Sequence, residues 1–309
     1  MTEQRDRRRG LLEGVVAYGL WGAVAVYWKL LSGVDPIELV AHRAVWGLVT
    51  FMVIVAVTGE LGALLPALRD VRTLGVMAVS GTLLAINWTL FVWATVSGHL
   101  LDASLGYFIN PLVSVALGTI VLRERLSRLQ WLAIVLAALG VGILTWRAGT
   151  VPWIALLLAS TFGIYGLVRK TAKVSALIGS TIETILLVPI AVIYLIVIAD
   201  HGAFGHADAT ITALLVGTGI VTAVPLVLFT SSARRLPLST IGFLQYLAPT
   251  GQFILAVTLF GEPLALGRLA AFIVIWTALV VFTIDLVRSR RKISEISPRY
   301  ATRSRQTCK

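Results

Sequence analysis

Two matching stretches decide the fold of this chain: ASLGYFINPLVSVALGTIVLRERL at 103–126 and IGFLQYLAPTGQFILAVTLFGEPL at 241–264. A single shift along the chain places Pro111 on Pro249 and Glu124 on Glu262. The same shift superposes other identical residues on either side: Gly81 on Gly219, Ala85 on Ala223, Leu90-Phe91 on Leu228-Phe229, Leu100 on Leu238, Leu117 on Leu255, Leu126 on Leu264 and Ala133 on Ala271. Because proline and glutamate are uncommon in apolar sequence, their shared spacing predicts an internal repeat.

The composition is that of a membrane protein. The 309 residues are 58% hydrophobic and 13% charged, with a mean hydropathy of +0.90, and this leaves too little polar surface for a soluble globule. A membrane-spanning helix needs about 20 apolar residues. Such stretches predict ten spans, at 11–31, 37–58, 72–96, 99–122, 128–146, 151–170, 177–198, 210–232, 238–260 and 264–287.

The basic residues fall mainly in alternate gaps between these stretches. They are Arg5, Arg7, Arg8 and Arg9; Arg69 and Arg72; Arg123, Arg125 and Arg128; Arg169, Lys170 and Lys173; Arg234 and Arg235; and eight in the tail from Arg288 to Lys309. By the positive-inside rule, both termini are cytoplasmic and the number of spans is even. Four bases lie elsewhere, namely Lys29, Arg43, Arg147 and Arg268.

The net charge of +11 therefore indicates topology, not nucleic-acid binding. The tail can also touch anionic lipid headgroups, although a topology anchor is the simpler interpretation. The basic start and the apolar run after it resemble a signal peptide, but the run continues through Trp28, so we interpret it as an uncleaved first span. The one cysteine, Cys308, provides no disulfide, thiol metal site or catalytic pair, and we expect no cofactor and no metal.

The repeat and the span count together predict an all-α polytopic membrane protein of ten transmembrane helices in two inverted repeats. A repeat of five spans enters the membrane from opposite sides in its two copies, an arrangement typical of alternating-access transporters. The predicted parts are a cytoplasmic N-terminus at 1–10, repeats at 11–146 and 151–287, and a cytoplasmic tail at 288–309.

Several polar and aromatic blocks inside the spans carry a family resemblance. They are Leu20-Trp21-Gly22, Ala41-His42-Arg43, Asn87-Trp88, 103–111 (ASLGYFINP), 124–127 (ERLS), 235–240 (RLPLST) and 242–249 (GFLQYLAP). These blocks closely resemble RarD-type members of the EamA family, in the drug/metabolite transporter superfamily. The resemblance covers almost the whole chain. It implies ten helices with both termini inside, a bacterial inner membrane, and export or permeation of small metabolites, with a link to chloramphenicol sensitivity or resistance as a frequent label in the family.

Polar side chains at helical spacing predict a substrate pathway. Polar groups persist within a membrane where they face the bundle interior or a wet cavity. The fourth span carries Ala103, Tyr107, Asn110 and Ser114 beside Pro111; the ninth carries Gly242, Gln245, Tyr246 and Gln252 beside Pro249; Tyr165 and Pro225 lie in the sixth and eighth. The three prolines are predicted helix kinks, since each removes a backbone donor. Packing alone is an equally weighted explanation for prolines in spans.

Aromatic residues extend the predicted pathway into two further spans. The first span contributes Tyr18 and Trp21, and the third contributes Asn87, Trp88 and Phe91. Rings with one polar atom can stack on a flat ligand and orient it. Two alternatives remain: Trp28 fits an interfacial belt, and Asn87 fits a hydrogen bond between helices.

Three ionisable residues within spans are predicted gating or coupling groups: His42, Arg43 and Glu183. A charge facing lipid at the membrane centre costs about 2.5–3.5 kcal/mol, so each needs a partner or water. The expected partners are Asp35, Glu38 or Asp102 for Arg43, and Lys170 or Lys173 for Glu183. We interpret them first as a clamp that closes one face, and second as a site for an anionic or zwitterionic substrate.

The sequence favours secondary or facilitative transport. A phosphate-binding Gly-rich loop is absent, and Glu183 is the better candidate for a coupling proton than Glu13, which lies among bases at the membrane edge. Glu124 and Glu262 fit caps at helix ends. The competing functions are a lipid or lipid-precursor flippase, a scaffold and an intramembrane enzyme. An enzyme is disfavoured because His42, His99 and the scattered hydroxyls suggest no nucleophile with its base.

Overall fold

The chain is helical throughout the part that the computed structural model describes, which comprises residues 2–96, 100–148, 153–259, 269–270, 273–285 and 288. The helices are α1 (Thr2–Leu30), α2 (Pro36–Val57), α3 (Leu61–Arg69), α4 (Val71–Val96), α5 (Leu100–Ile120), α6 (Arg128–Ala148), α7 (Trp153–Thr171), α8 (Ala176–Val197), α9 (Ala209–Arg235), α10 (Leu238–Gln245), α11 (Leu247–Thr258) and α12 (Ile273–Asp285).

Six helices in the described ranges are long and apolar enough to cross a membrane. They are Gln4–Leu30, Pro36–Val57, Val71–Phe91, Trp153–Thr171, Ala176–Val197 and Ala209–Arg235. Shorter apolar helices lie at Gly106–Ile120, Arg128–Ile143 and Ile273–Asp285. The predicted polytopic membrane protein is therefore confirmed.

Side-chain caps explain where three long helices begin. Asp35 accepts hydrogen bonds from the backbone of Ile37 (2.9 Å) and Glu38 (3.1 Å), and Pro36 occupies the first turn of α2, where its missing N–H costs no helical bond. Ser175 caps α8 and Asp208 caps α9 in the same way. The backbone hydrogen bond from Ile211 lowers the pKa of Asp208 below its usual value. These starts follow the sequence prediction within a residue or two.

The single helix predicted at 238–260 is wrong. Helix α10 ends at Gln245, Tyr246 forms a turn, and α11 begins at Leu247. A proline ring excludes the carbonyl oxygen four residues before it, and for Pro249 that residue is Gln245. By contrast, α5 and α9 continue through Pro111 and Pro225.

Helix α3 was also not predicted. It covers nine residues of the gap between the second and third predicted spans and contains Pro66. Its buried side chain is Leu64. A helix of this length is too short to cross a membrane, so a search for apolar spans passes over it.

The chain divides into two compact units. The first comprises Met1–Glu124 and Thr150–Pro263, and the second comprises Arg125–Gly149 and Leu264–Lys309. In the second unit, α6 starts with a reciprocal cap between Ser127 and Gln130, and α12 buries Ile275, Ala278 and Phe282 on one face.

Nine helices of the first unit pack closely in pairs: α1 with α9 and α11, α2 with α8 and α9, α4 with α7 and α8, and α5 with α7 and α10. Small residues allow these approaches. A Cβ at Gly242 of α10 would lie 2.7 Å from the carbonyl oxygen of Pro111, and a Cβ at Gly22 of α1 would lie 3.4 Å from the Cα of Gly251. Larger residues at these glycines would push the helices apart.

The first unit has two ends, which we name by the residues that cap helices there. At the Asp35 end, the turn 31–35 meets the segment 198–208, because Tyr194 donates to Asp35 and the backbone of Phe204 donates to Glu38. At the Ser175 end, the turns 58–60, 121–124, 172–175 and 236–237 meet; for example, Ser175 donates to Glu60.

Candidate functional site

Arg43 lies between two tryptophan rings in the half of the first unit nearer the Asp35 end. Its Cζ atom is 4.8 Å from the ring centroid of Trp28 and 4.7 Å from that of Trp88. Its Nε donates to the hydroxyl of Thr222 at 3.1 Å. We call these four residues the Arg43 cluster; they come from α1, α2, α4 and α9. The two cation-π contacts and one hydrogen bond hold the guanidinium in place.

Two of the three acids predicted to pair with Arg43 are engaged elsewhere. Asp35 caps α2, and Glu38 accepts the backbone N–H of Phe204 at 3.1 Å and lies 3.7 Å from the Nε2 of His42. The side chain of Asp102 lies outside the described residues. Within the described ranges, no carboxylate lies within 4.0 Å of Arg43, and its two terminal amino groups have no hydrogen-bond acceptor.

Aromatic and polar residues extend the surroundings of Arg43. Tyr107 is close enough to interact with it electrostatically, is 39% exposed, and packs edge-on against Phe91 with centroids 5.7 Å apart. Asn87, one residue before Trp88, donates to the carbonyl of Leu158 and to Thr161, both at 2.9 Å. Asn87 thus makes the hydrogen bond between helices that was weighed as its alternative role.

A cleft of about 340 Å³ lies at the Asp35 end, between α2, the end of α8 and the following segment. His42 and Glu38 line it and are both buried. The His42 ring stacks on Phe204 with centroids 4.9 Å apart, and neither ring nitrogen has a hydrogen-bond partner among the described residues. The rest of the lining is mainly apolar.

Glu183 occupies a fully buried cluster in the half nearer the Ser175 end. Its carboxylate lies 3.6 Å from the Nε of Arg169 and accepts hydrogen bonds from Ser80 and from Tyr165 (3.4 Å). We call these residues the Glu183 cluster. Arg169 is 0% exposed and Glu183 is 1% exposed. The predicted partners Lys170 and Lys173 are wrong.

The Arg169 guanidinium is held by α8 and α4 as well. It donates to the carbonyl of Ala176 at 2.7 Å and lies 3.1 Å from the sulfur of Met77. A Cβ at Gly179 would overlap the guanidinium, so this glycine makes room for it. Lys170 instead donates to the carbonyls of Ala233 and Leu236.

The two predicted polar stripes meet directly where α5 packs on α10. Gln245 donates to Ser114 at 3.1 Å, and Tyr246 donates to the carbonyl of Phe108 at 3.3 Å. Gln252 donates to the carbonyl of Trp21 at 3.3 Å. The buried Asn110 has an Oδ1 atom without a partner in the described part of the chain. Most of the stripe is therefore engaged between helices in this conformation.

An aromatic cluster lies beside these stripes. The ring centroids of Phe162 and Phe229 are 5.3 Å apart. Both rings contact Trp21 and Tyr165, and Phe229 also contacts Tyr18; the sequence placed these three residues in the pathway. Tyr18 is buried beside Gln245. The cluster joins α1, α7 and α9 through aromatic packing in the bundle interior.

Glu124 holds the start of α10 at the Ser175 end. Its carboxylate accepts the backbone N–H of Leu238 (2.6 Å) and of Ser239 (3.0 Å), and the Ser239 hydroxyl (2.7 Å). A carboxylate at a helix N-terminus is stabilised by these free amides. The predicted counterpart Glu262 lies outside the described residues, as do His99 and Arg268.

The chain resembles known transporters over nearly its whole length. Residues 8–146 match the EamA-like transporter family. The chain is 42% identical to the protein RarD of Escherichia coli over 295 residues, which cover 95% of this chain and 100% of that protein. The chain belongs to the EamA-like transporter family. It is 46% identical over 290 residues to an uncharacterised transporter of Pseudomonas aeruginosa, which covers 93% of this chain and 97% of that one.

A solved crystal structure shares the fold of this EamA family member. It aligns with a TM-score of 0.71 at 18% identity, and the alignment covers 90% of this chain and 98% of the other. Family membership and the long apolar helices establish a multi-pass transporter of the drug/metabolite superfamily in a bacterial membrane.

Sequence reasoning missed five residues of these clusters: Ser80, Phe162, Arg169, Thr222 and Phe229. Helical spacing could have found Ser80, which shares the face of α4 that carries Asn87 and Phe91. Thr222 similarly precedes Phe229 by two turns on α9. Arg169 was counted only as a topology charge, because it stands next to Lys170 near a helix end.

Proposed function

We propose that this EamA family member is a secondary or facilitative transporter that moves a small amphiphilic organic molecule by alternating access. In this proposal, ten spans form two inverted repeats of five. Helices α1, α2, α4, α5 and α6 belong to the first repeat, and α7, α8, α9, α10 with α11, and α12 belong to the second. Both termini lie in the cytoplasm, and the membrane is the bacterial inner membrane.

The observation that carries the proposal is the exchange of helix pairs between the halves. In the proposed repeats, α1 corresponds to α7, α2 to α8, α4 to α9, and α5 to α10 with α11. Each pair of packed helices then has a matching pair in which both helices are replaced by their counterparts: α4–α8 matches α9–α2, α5–α7 matches α11–α1, and α4–α7 matches α9–α1. All of these pairs pack together. Tyr246 contacts Phe108, its own counterpart under the shift that relates Pro249 to Pro111, as expected for residues at a twofold axis. Two nearly equivalent halves can exchange inward-open and outward-open shapes.

The charge distribution supports the proposed orientation. The Ser175 end contains basic residues from α7 and α9, including Lys170, Arg234 and Arg235. The N-terminal part of α1 also lies there, because the Ser232 hydroxyl of α9 donates to the carbonyl of Gly10. The Asp35 end carries Asp35, Glu38 and Asp208. The positive-inside rule then assigns the Ser175 end to the cytoplasm.

The proposed pathway runs along the aromatic cluster between the two ends. Amphiphilic substrates suit this lining because rings contact apolar parts, while Tyr107, Asn110 and Gln245 offer polar atoms. When the Ser175 end opens, the contacts of Gln245 with Ser114 and of Glu124 with α10 must separate. Pro111, Pro225 and Pro249 are the proposed kinks that permit this movement.

The test is a reversible crosslink across that interface. A thermal-shift screen of amino acids, nucleosides and amphenicols first provides a binder, because a binder stabilises the folded state. A Cys308→Ser background removes the one native cysteine, and Ser114→Cys with Gln245→Cys is then reconstituted into liposomes. We expect flux of the binder to stop on oxidation and to return on reduction, while each single-cysteine variant is unaffected by oxidation. Undiminished flux through the crosslinked protein would contradict alternating access at this interface.

A further inference from the structure

The Arg43 cluster places a cation with uncommitted donors inside the membrane-spanning bundle. Arg43 is half-buried, and a charge within a membrane bundle without an opposite charge is unfavourable, so it persists where it serves a purpose. The described neighbours of Arg43 are two indole rings and one hydroxyl. They hold the guanidinium in place but do not neutralise it.

One edge of the guanidinium has no hydrogen-bond acceptor among the described residues. Trp28 and Trp88 each lie within 5 Å of Arg43 Cζ, and Thr222 occupies the Nε donor. The two terminal amino groups remain, with coplanar N–H bonds. A planar group with two acceptor oxygens matches this edge with two parallel hydrogen bonds, and a carboxylate is the commonest such group.

The residues around that edge indicate the remainder of the ligand. Tyr107 is partly exposed and packs on Phe91, so an apolar wall adjoins the cation. Trp28 and Trp88 add indole surface. A purely inorganic anion would leave these rings unused, whereas a carboxylate on an apolar body contacts both parts.

We propose that the Arg43 cluster binds the carboxylate of a substrate with an apolar body, and that the rings beside it contact that body. This assignment rests on the proposed transport function and names its substrate class. It differs from the clamp expected from the sequence, because a clamp needs an acid, and among the described acids Asp35 and Glu38 already accept backbone hydrogen bonds in α2 and from Phe204.

Matched acids and amides test the assignment on the purified full-length protein. The probes are benzoate with benzamide and 2-naphthoate with 2-naphthamide, with inorganic phosphate as an anion control. The readouts are tryptophan fluorescence and thermal shift. We expect each acid to bind at least about tenfold more tightly than its amide, since only the acid supplies charge-assisted hydrogen bonds. Equal binding of acid and amide, no binding of either acid, or preference for phosphate would overturn the assignment.

Two substitutions at Arg43 separate charge from geometry. Arg43→Gln should remove the preference for acids, and Arg43→Lys should restore only part of it, because an ammonium lacks the planar fork. Unchanged acid preference in Arg43→Gln would contradict the proposal. If Arg43→Gln fails to fold, Thr222→Val is the second test. Valine is close to threonine in size but lacks the hydroxyl that accepts the hydrogen bond from Arg43, so the acid preference should fall several-fold.

Flux measurements distinguish this inference from the transport proposal. Flux of 2-naphthoate that Arg43→Gln does not reduce would refute the carboxylate assignment and leave transport standing. Tight Arg43-dependent binding of acids without any flux would refute transport and leave the binding site standing.

Discussion

The Arg43 cluster and the Glu183 cluster accommodate a charge within the bundle in opposite ways. Each charge lies about two turns inside the second helix of its proposed repeat. Glu183 has a cation at 3.6 Å and two hydroxyl donors, whereas Arg43 has two rings and one hydroxyl but no described carboxylate. A charge with every partner in place holds helices together. A charge with free donors is available to a ligand.

The largest expected effect is on stability at the Glu183 cluster. Glu183→Gln leaves Arg169 buried without an opposite charge, and breaking a buried pair in this way costs about 3–5 kcal/mol. Thermal unfolding in detergent, with the double variant Arg169→Met/Glu183→Met as a control, measures it. The double variant should recover most of the loss, since both charges leave together. A Glu183→Gln protein as stable as wild type would remove the contrast between the clusters.

Arg43→Gln should show the opposite pattern. The loss of two cation-π contacts and the removal of a half-buried charge offset each other, so we expect the free energy of unfolding to change by about 1 kcal/mol or less. Isothermal titration with 2-naphthoate should show affinity reduced by about tenfold or more. A loss of stability comparable to that of Glu183→Gln would make Arg43 a structural residue.

Thr222→Val sharpens the comparison within the Arg43 cluster. The substitution removes one hydrogen bond to a charged group, and we expect carboxylate affinity to fall by about 0.5–1.5 kcal/mol. Thr218→Val is a matched control, because Thr218 lies one turn earlier on α9 and donates to the carbonyl of Leu215. Equal effects of the two substitutions would indicate a general change in α9 and not the loss of the Arg43 contact.

Asn87→Leu should have the smallest effect. Its hydrogen bonds join α4 to α7 between the two clusters, and bonds of this kind contribute about 0.6 kcal/mol on average in membrane bundles. Thermal unfolding should fall slightly, and carboxylate binding should stay within about twofold of wild type. A large loss of binding would place Asn87 in the ligand site.

The sequence predicted most of the membrane helices because each is a long apolar run. It also named Pro249 as a kink but not the position of the break at Tyr246, which follows because Pro249 excludes the carbonyl of Gln245. It gave no indication that α3 forms, because the gap between spans is short and contains Pro66.

The site was less predictable because the ion-pair and hydrogen-bond partners of a side chain depend on the direction in which it points and not on distance along the sequence. Lys170 and Lys173 are near Glu183 along the chain, yet Arg169 faces α8 from a position one residue earlier on α7. Asp35 and Glu38 are near Arg43 along the chain, but both accept hydrogen bonds from backbone amides. The rings around Arg43 come from α1 and α4, whose packing no local pattern specifies.

The most direct test of the contrast is a side-by-side titration of wild type, Arg43→Gln and Glu183→Gln with 2-naphthoate, followed by thermal unfolding with and without ligand. We predict a crossover: Arg43→Gln keeps its stability and loses the ligand-induced shift, while Glu183→Gln loses stability and keeps the shift. If both variants lose the shift in proportion to their loss of stability, the two clusters have the same structural role and the account is wrong.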